Sequence, residues 1–305
     1  MNADLESLRR RRPALAARAA ISRAIRAFFD ARGFLEVETP VRLRAPALET
    51  HIDAEPCGEA FLRTSPELHM KRMLAAGYDR IYQVGPCFRR GERGPRHRPE
   101  YTMLEWYRAG ADYNAILADA RALVDAAAAA LPAPPPARAF RAEVPWLELP
   151  VAEAFRRHAG WDPVAAWDAD RFDLDLVERV EPALPRDRGV VLRDYPAPAA
   201  ALARLKPDDP RVAERWELYL GGVEIANAYS ELTDAAEQRA RFERSARERA
   251  ALGKSAYPTD EKFLAALAAG MPPAGGAALG VDRLVMVLTG APTLDEVIPF
   301  DELPA

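Results

Sequence analysis

The 305-residue chain has only two cysteines, Cys57 and Cys87, and four histidines. The cysteines form no CxxC pair and do not cluster with the histidines, which argues against a structural zinc site and against a disulfide framework. No apolar run reaches the length of a membrane span, and the arginines at positions 9–12 are not followed by the apolar core of a signal peptide. We therefore expect a cytoplasmic protein with no membrane partner.

An excess of positive charge is also missing, because 42 lysines and arginines stand against 46 aspartates and glutamates, for a net charge of −4. A general nucleic-acid-binding surface is therefore not expected, and any basic cluster is a local feature. The sequence contains no internal repeats. Its length allows one large domain or two ordinary ones, and its 49% hydrophobic and 29% charged residues are typical of a soluble globular protein.

The most informative stretch, residues 88–107, combines a basic loop with an alternating strand. Its second half places two aromatic rings and a carboxylate on one face, which predicts the floor of a pocket for a flat or cationic ligand: Tyr101, Glu105 and Tyr107, with Met103 between them. The preceding apolar run IYQV reads as a second strand. The loop between these strands contains a histidine and five arginines, at positions 89, 90, 93, 96 and 98. Such a hairpin can lay guanidinium groups over a polyphosphate, although a solvated basic loop fits the same pattern.

Two further patterns contain carboxylates that could have either a structural or a functional role. Thr64-Ser65-Pro66-Glu67 is a helix start, in which Glu67 either compensates the helix dipole or serves a site. WELYL and VEIA read as two strands joined by Gly221-Gly222, which would place Tyr219 opposite Glu224 and Glu217 diagonally beside Glu224. That pair of carboxylates suits Mg²⁺ carrying nucleotide phosphates, and a solvent-facing acidic pair fits equally.

The last element, GGAALGVDRLVMVLTG, predicts a glycine-rich strand followed by a short helix that ends at Gly290. Arg283 lies in the first turn of that helix, where the helix dipole disfavours a cation. An anion docking there would explain the charge, and a surface arginine that tolerates the position would also fit.

The organisation predicted for the chain is one catalytic domain over residues 1–305. Residues 1–18 read as a polar, arginine-rich leader before the first helix, and the LPAPPPAR spacer marks an internal boundary. Residues from about 132 to 210 are interpreted as an insertion packed on the core. Fewer than twenty residues precede the first predicted helix, so we expect no anticodon-binding barrel.

Several stretches together resemble a known family. GFLEVETP, CFRRGERGPRHRPEYTMLEWY and GVDRLVMVLTG are similar to motifs 1, 2 and 3 of the class II aminoacyl-tRNA synthetases, and TSPELHMKR, GVEIANAYSEL and ALGVDRLVM are similar to the lysyl branch. The resemblance covers nearly the whole chain in the same order. It implies an α+β fold with an antiparallel sheet flanked by helices, the use of ATP and Mg²⁺, and a homodimer.

The resemblance also implies roles for individual residues. Arg89 would hold the α-phosphate of ATP and the substrate carboxylate, Arg283 the γ-phosphate, and Tyr101 would stack on adenine. The catalytic set would be Arg89, Arg283 and Glu224. The ATP-binding set would be Arg89, Arg90, Gly91, Glu92, His97, Arg98, Tyr101, Glu224, Ile225, Gly280 and Arg283. The substrate-binding set would be Ser65, Pro66, Glu67, Glu105, Tyr107, Asn227, Glu231 and Ala278, and Mg²⁺ would be held by Glu217 and Glu224.

The sequence departs from the family's pattern at a few positions. Gly91 stands where motif 2 usually has a glutamate, Glu92 follows one residue later, and Arg98 replaces an asparagine. Ser65 and Ala278 occupy positions where lysyl-tRNA synthetases have Ala and Gly. At both positions this sequence is similar to the paralogues that ligate (R)-β-lysine to elongation factor P.

The function implied is activation of (R)-β-lysine or lysine as an aminoacyl-adenylate, with transfer of the lysyl group to a lysine of elongation factor P. Two alternatives stay open at this point: a minimal lysyl-tRNA synthetase that charges tRNA, and a non-catalytic synthetase-like regulatory protein. The phosphate-binding arginines disfavour the second alternative, and the missing barrel and negative charge mean that tRNA is not expected as a partner.

Overall fold

The computed structural model describes residues 3–132 and 140–301. The strands are β1 Leu35–Glu36, β2 Arg42–Leu43, β3 Pro56–Cys57, β4 Ala60–Leu62, β5 Arg80–Phe88, β6 Glu100–Ala109, β7 Leu147–Pro150, β8 Gly189–Pro196, β9 Val212–Leu220, β10 Val223–Ser230 and β11 Ala274–Gly280. The helices are α1 Ala3–Asp30, α2 Glu67–Ala75, α3 Tyr113–Ala129, α4 Val151–His158, α5 Ala169–Asp175, α6 Glu181–Ala183, α7 Ala235–Ala251, α8 Glu261–Ala268 and α9 Val281–Thr289. Single turns of other helical types cover Leu176–Val180, Ala197–Ala199 and Leu294–Glu296.

Eight of the strands form one sheet, in the order β1-β5-β6-β11-β10-β9-β8-β7, and β2, β4 and β3 form a small second sheet. The pairs in the middle of the large sheet are antiparallel, and only β1 with β5 and β7 with β8 are parallel. The predicted α+β architecture, an antiparallel sheet flanked by helices, is confirmed.

The alternation in β6 divides the two faces of the large sheet as predicted. Leu104 and Trp106 are fully buried in a core cluster with helices α1 and α3, where Phe29 and Ile116 are among their neighbours. Residues 101, 103, 105 and 107 therefore face the other way. One face of the sheet packs against α1 and α3 in this cluster, and the opposite face carries the predicted site residues, with Tyr107 buried in a second cluster.

The hairpin of β9 and β10 turns through Gly221 and Gly222, whose φ angles of 63° and 76° belong to the left-handed region that a two-residue turn of this kind needs. Tyr219 pairs with Glu224 as predicted. A bulge between Glu224 and Ala226 then shifts the register, so that Glu217 lies directly opposite Asn227.

Two features of the predicted organisation need correction. Helix α1 already begins at Ala3, so residues 3–18 are not a polar leader, and Arg11 donates hydrogen bonds to the carbonyl oxygens of Asp295 and Ile298. The region after residue 140 is more than a packed insertion, because it adds β7 and β8 to the large sheet. Residues 133–138 of the proline-rich spacer lie outside the described ranges. Within the described ranges, no helix is long and apolar enough to cross a membrane.

Candidate active site

The site's floor is a row of directly opposed residues that crosses four neighbouring strands. Glu105 on β6 pairs with Ala278 on β11, Ala278 pairs with Asn227 on β10, and Asn227 pairs with Glu217 on β9. Directly opposed residues share a face of the sheet, so four residues predicted from separate motifs lie side by side. The bulge is essential, because without it the β10 residue in this row would be an apolar one.

An open cavity lies beside this row, and the space inside it, with the adjoining solvent included, is about 580 Å³. Its lining includes every predicted ATP-binding residue except Arg90 and Gly91, together with Asn227 and Ala278 from the predicted substrate set. Arg90 and Gly91 are exposed outside it.

Arg89 presents an unsatisfied donor in this cavity. Its Nε is buried and has no hydrogen-bond partner among the described residues, and its guanidinium lies 5.3 Å from the centre of the Tyr101 ring. The Tyr101 hydroxyl donates to the carbonyl of Thr64 at 3.0 Å. The ring face of Tyr101 thus contacts a cation here, and its predicted stacking on adenine stays a prediction.

Arg283 and His97 meet at the mouth of the cavity. The Nη2 of Arg283 lies 2.7 Å from Nε2 of His97, and its Nη1 lies 3.0 Å from Oε2 of Glu224. Burial, with Arg283 next in importance, lowers the pKa of His97, so the imidazole is neutral and its Nε2 accepts the hydrogen bond. The charge that the sequence left unexplained at the start of α9 is paired with Glu224 within the site.

Arg98 is held differently from the other arginines of the loop. It is 8% exposed, donates to the carbonyls of Gly94 and His97, and forms ion pairs with Asp295 and Asp301. These contacts fix the shape of the loop between β5 and β6. The guanidinium of Arg98 already binds these partners. Its direct contact with ATP stays a prediction.

The two predicted magnesium ligands also have partners in the protein. Glu217 accepts hydrogen bonds from Arg215 at 2.6 Å and from the Tyr219 hydroxyl at 2.8 Å. Burial raises the pKa of Glu224, and the like charge of the nearby Glu217 raises it further. No group of three or more metal-ligating side chains occurs in the described parts of the chain, so Mg²⁺ would need phosphate oxygens to complete its coordination.

The predicted substrate-binding residues include a buried cluster of carboxylates. Glu105 is 1% exposed and accepts hydrogen bonds from Ser65 Oγ at 2.6 Å and from the Tyr107 hydroxyl at 2.8 Å. Burial, with the charge of Glu67 next in importance, raises the pKa of Glu105 to about 8 although both hydrogen bonds oppose the shift. A carboxyl group kept neutral in this way is ready to ionise beside an arriving cation.

Glu67 and Glu231 complete this cluster through a residue that the sequence analysis missed. The fully buried Lys71 places its Nζ 2.5 Å from Oε1 of Glu67 and 2.5 Å from Oε2 of Glu231. Burial opposes the charge of Lys71, but the two carboxylates outweigh it, and the pKa of Lys71 lies above its ordinary value. The i, i+4 spacing of Glu67 and Lys71 on α2 was a signal that could have revealed the pair.

A second row of opposed residues lies two positions further along the strands. It consists of Tyr107, Gly276, Tyr229 and Arg215. A Cβ on Gly276 would lie 2.2 Å from Cδ1 of Tyr107 and 2.6 Å from Oε1 of Glu231, so this glycine allows both side chains to cover the floor. Arg215 lies two residues before Glu217 on β9, so the alternation of the strand could have identified it as a residue of the same face. Its guanidinium is 4.3 Å from the centre of the Tyr195 ring.

Glu49 is a further residue that the motifs did not identify. Burial raises its pKa, opposed by the charge of Arg89 and reinforced by that of Glu67. Its backbone carbonyl accepts a hydrogen bond from the buried Arg249. The loop before β3 therefore adds another carboxylate near Arg89 and Glu67, and no sequence signal distinguished it from an ordinary loop glutamate.

Comparison with known proteins agrees with this geometry. The profile of the family described as tRNA synthetases class II (D, K and N) matches residues 3–303. The chain belongs to this family.

Relatives named elongation factor P–(R)-beta-lysine ligase include those of Hamiltonella defensa, 40% identical over 93% of each chain, and Klebsiella pneumoniae, 39% identical over 94% of each chain. Another, from Proteus mirabilis, is 40% identical over 90% of this chain and 91% of its own. The predicted resemblance to the class II synthetases and to these ligases is confirmed.

Proposed function

We propose that this protein uses ATP to activate (R)-β-lysine or lysine as an aminoacyl-adenylate and transfers the lysyl group to a lysine side chain of elongation factor P. The observation that carries the proposal is the row of Glu105, Ala278, Asn227 and Glu217, which joins a buried carboxylate cluster to an arginine-lined cavity on one sheet face. The names of relatives that match the chain along nearly its whole length support the choice of acceptor.

The first step would be attack of a substrate carboxylate oxygen on the α-phosphorus of ATP, with pyrophosphate as the leaving group. Arg89, whose buried Nε lacks a partner, would stabilise the negative charge that develops at phosphorus. Arg283 would exchange its contact with Glu224 for an outer phosphate. The protein supplies no nucleophile, so its contribution is alignment and charge stabilisation.

Glu217 and Glu224 would hold Mg²⁺, since two neighbouring carboxylates whose charges repel fit a divalent cation between them. The ion would neutralise phosphate charge when bound. In the second step the neutral amine of the acceptor lysine would attack the carbonyl carbon of the adenylate, AMP would leave, and the amine would lose a proton.

On the amino-acid side, the terminal ammonium of the substrate would meet Glu105, Tyr107 and Glu231, and Glu67 would receive the amino group nearer the carboxylate. Ser65, hydrogen-bonded to Glu105, and Ala278, at the centre of the floor, are the positions that would shape the pocket for β-lysine. The family resemblance also supports the proposals of a cytoplasmic homodimer and of a single catalytic domain, which light scattering and cell fractionation would test.

The experiment incubates the protein with ATP, Mg²⁺, (R)-β-lysine and elongation factor P, and measures the intact mass of the factor. We expect the addition of one lysyl unit at one lysine. A parallel reaction contains tRNA in place of the factor. Efficient charging of tRNA without a mass shift on the factor would overturn the proposal in favour of a minimal lysyl-tRNA synthetase.

A further inference from the structure

Lys71 is a charged residue inside the amino-acid side of the site. It is fully buried on α2, and its ammonium contacts Glu67 on the same helix and Glu231 just after β10. The contact therefore joins two elements that are far apart in sequence. No part of the proposed reaction uses this ammonium directly.

Lys71 contacts one oxygen of each carboxylate. It approaches Oε1 of Glu67 and Oε2 of Glu231, while Oε1 of Glu231 is buried and has no hydrogen-bond partner among the described residues. An unpartnered buried carboxylate oxygen costs free energy unless a donor reaches it. The arrangement leaves that oxygen for a cationic ligand while Lys71 fixes the position of its carboxylate.

We propose that Lys71 is a positioning residue that sets the separation of Glu67 and Glu231, and thereby selects diamino acids by the spacing of their two amino groups. The inference rests on the proposed function, in which these two carboxylates receive the two amino groups. Because Lys71 lies between the carboxylates, it acts as a spacer of fixed length: moving one carboxylate without the other would break a buried ion pair.

A role in stability alone explains the arrangement less well. A buried ion pair contributes little net stability, since the loss of hydration offsets the attraction, and an apolar residue of similar volume often replaces it without cost. The other charged and titratable groups around the cluster belong to the same site: Glu105, Tyr107, Tyr229, Arg215, Glu49 and Arg89. Lys71 thus lies where a change in the positions of Glu67 and Glu231 would change the binding of the ligand.

The test compares Lys71→Met with the wild-type protein in ATP–pyrophosphate exchange stimulated by (R)-β-lysine, lysine or ornithine. We expect the variant to discriminate less between these amino acids, with the ratios of their kcat/KM values about tenfold closer to one than in the wild type. The reason is that Lys71 no longer sets the separation of the two carboxylates. The KM for ATP should change less than about twofold, since the nucleotide cavity is not altered. The pH profile of kcat/KM should show an additional ionisation in the variant, because Glu67 and Glu231 lose the cation that they share. Lys206→Met is the matched control, because Lys206 pairs with Asp194 outside the site and its loss should leave the ratios unchanged.

The double variant Lys71→Met/Glu67→Gln guards against misfolding, because it removes a buried cation and a buried anion together. Circular dichroism and ATP binding would establish that it folds, and its ratios should also fall. Unchanged ratios in either folded variant would overturn the inference, as would the failure of both variants to fold, which would assign Lys71 to stability. If the wild-type protein activates none of the three amino acids, the proposed function itself fails, and that result is separate from any effect of Lys71.

Discussion

The active site has two sides: the arginine-lined cavity, here called the nucleotide side, and the buried carboxylate cluster, here called the amino-acid side. The two differ in how far their charged side chains are exposed to solvent. On the nucleotide side, the side chains of Arg89, Arg283 and Glu224 are 26%, 19% and 38% exposed and border an open cavity. On the amino-acid side, Lys71, Glu105 and Glu231 are at most 2% exposed and contact one another or hydroxyl groups. Charges near solvent are screened, whereas charges in the buried cluster interact strongly and shift one another's pKa. In the proposed function, the nucleotide side receives a large anion and the amino-acid side receives a small cation.

The largest expected effect is on the nucleotide side. Arg89→Ala should lower the rate of adenylate formation by about 10²–10³, because the guanidinium acts on charge that develops in the transition state. ATP–pyrophosphate exchange measures this rate. Arg239→Ala is the matched control, since Arg239 is an exposed arginine that pairs with Glu261 and does not line the cavity. Exchange by the Arg89 variant within a few-fold of wild type would remove Arg89 from the catalytic set.

A smaller effect is expected on the amino-acid side. Glu231→Gln should raise the KM for lysine-like substrates by about 2 kcal/mol, roughly 30-fold, because it removes the charged partner of a buried ammonium while it keeps the shape of the side chain. The KM for ATP should stay nearly constant. Equal changes in both KM values, measured by exchange, would place Glu231 outside the amino-acid subsite.

Two glycines of β11 offer a direct contrast between the sides. Gly276→Ala would bring a Cβ into the space of Tyr107 and Glu231, and we expect the KM for the amino acid to rise by about 1–2 kcal/mol. Gly280→Ala is the control, because its nearest neighbour, the side chain of Arg283, would be 3.8 Å from the new Cβ. Kinetics with each substrate varied separately would check both. A Gly276 variant with an unchanged KM would mean that the floor has room that the structure does not show.

Binding of the cationic substrate should depend on pH through Glu105. The pKa of its carboxyl group lies at about 8, so the group is protonated at pH 7 and must lose a proton when an ammonium docks. The affinity should therefore increase as the pH rises to about 8 and level off above it, by no more than about tenfold per pH unit for one proton. Calorimetry in buffers of different ionisation enthalpy would detect the proton release. Glu105→Gln should abolish this dependence, and an affinity that falls as the pH rises to 8 would contradict the assignment.

The smallest expected effect concerns the choice between isomers. Ala278→Gly combined with Ser65→Ala should shift the preference from (R)-β-lysine towards lysine by about 1 kcal/mol, or roughly fivefold, since one methyl and one hydroxyl reshape the floor beside Glu105. The comparison of kcat/KM for the two isomers measures this shift. An unchanged ratio would mean that these two positions do not govern the choice.

The nucleotide side was largely predictable because its residues lie in local patterns. The alternation from Tyr101 to Tyr107 and the glycine turn at residues 221–222 identify strands and faces, and the order of the motifs identifies the family. Arg283 was recognisable since a cation in the first turn of a helix is unusual.

The remaining features depend on contacts between distant parts of the chain. The bulge after Glu224 leaves no sequence signal, yet it decides that Asn227 shares a face with Glu217. The i, i+4 spacing of Glu67 and Lys71 also fits a surface ion pair, and it is the contact with Glu231, just after β10, that places Lys71 inside the site. Residues 3–18 read as a leader because they are polar and arginine-rich, but they lie in α1, where Arg18 contacts Asp282 and Thr102.

The most direct test of this division into two sides is ATP–pyrophosphate exchange by the unmodified protein in the presence of single amino acids. We predict exchange with (R)-β-lysine or lysine and almost none with norleucine, which lacks the terminal amino group that the buried carboxylates would bind. Exchange with norleucine as fast as with lysine, or no exchange with any of the three, would contradict the account.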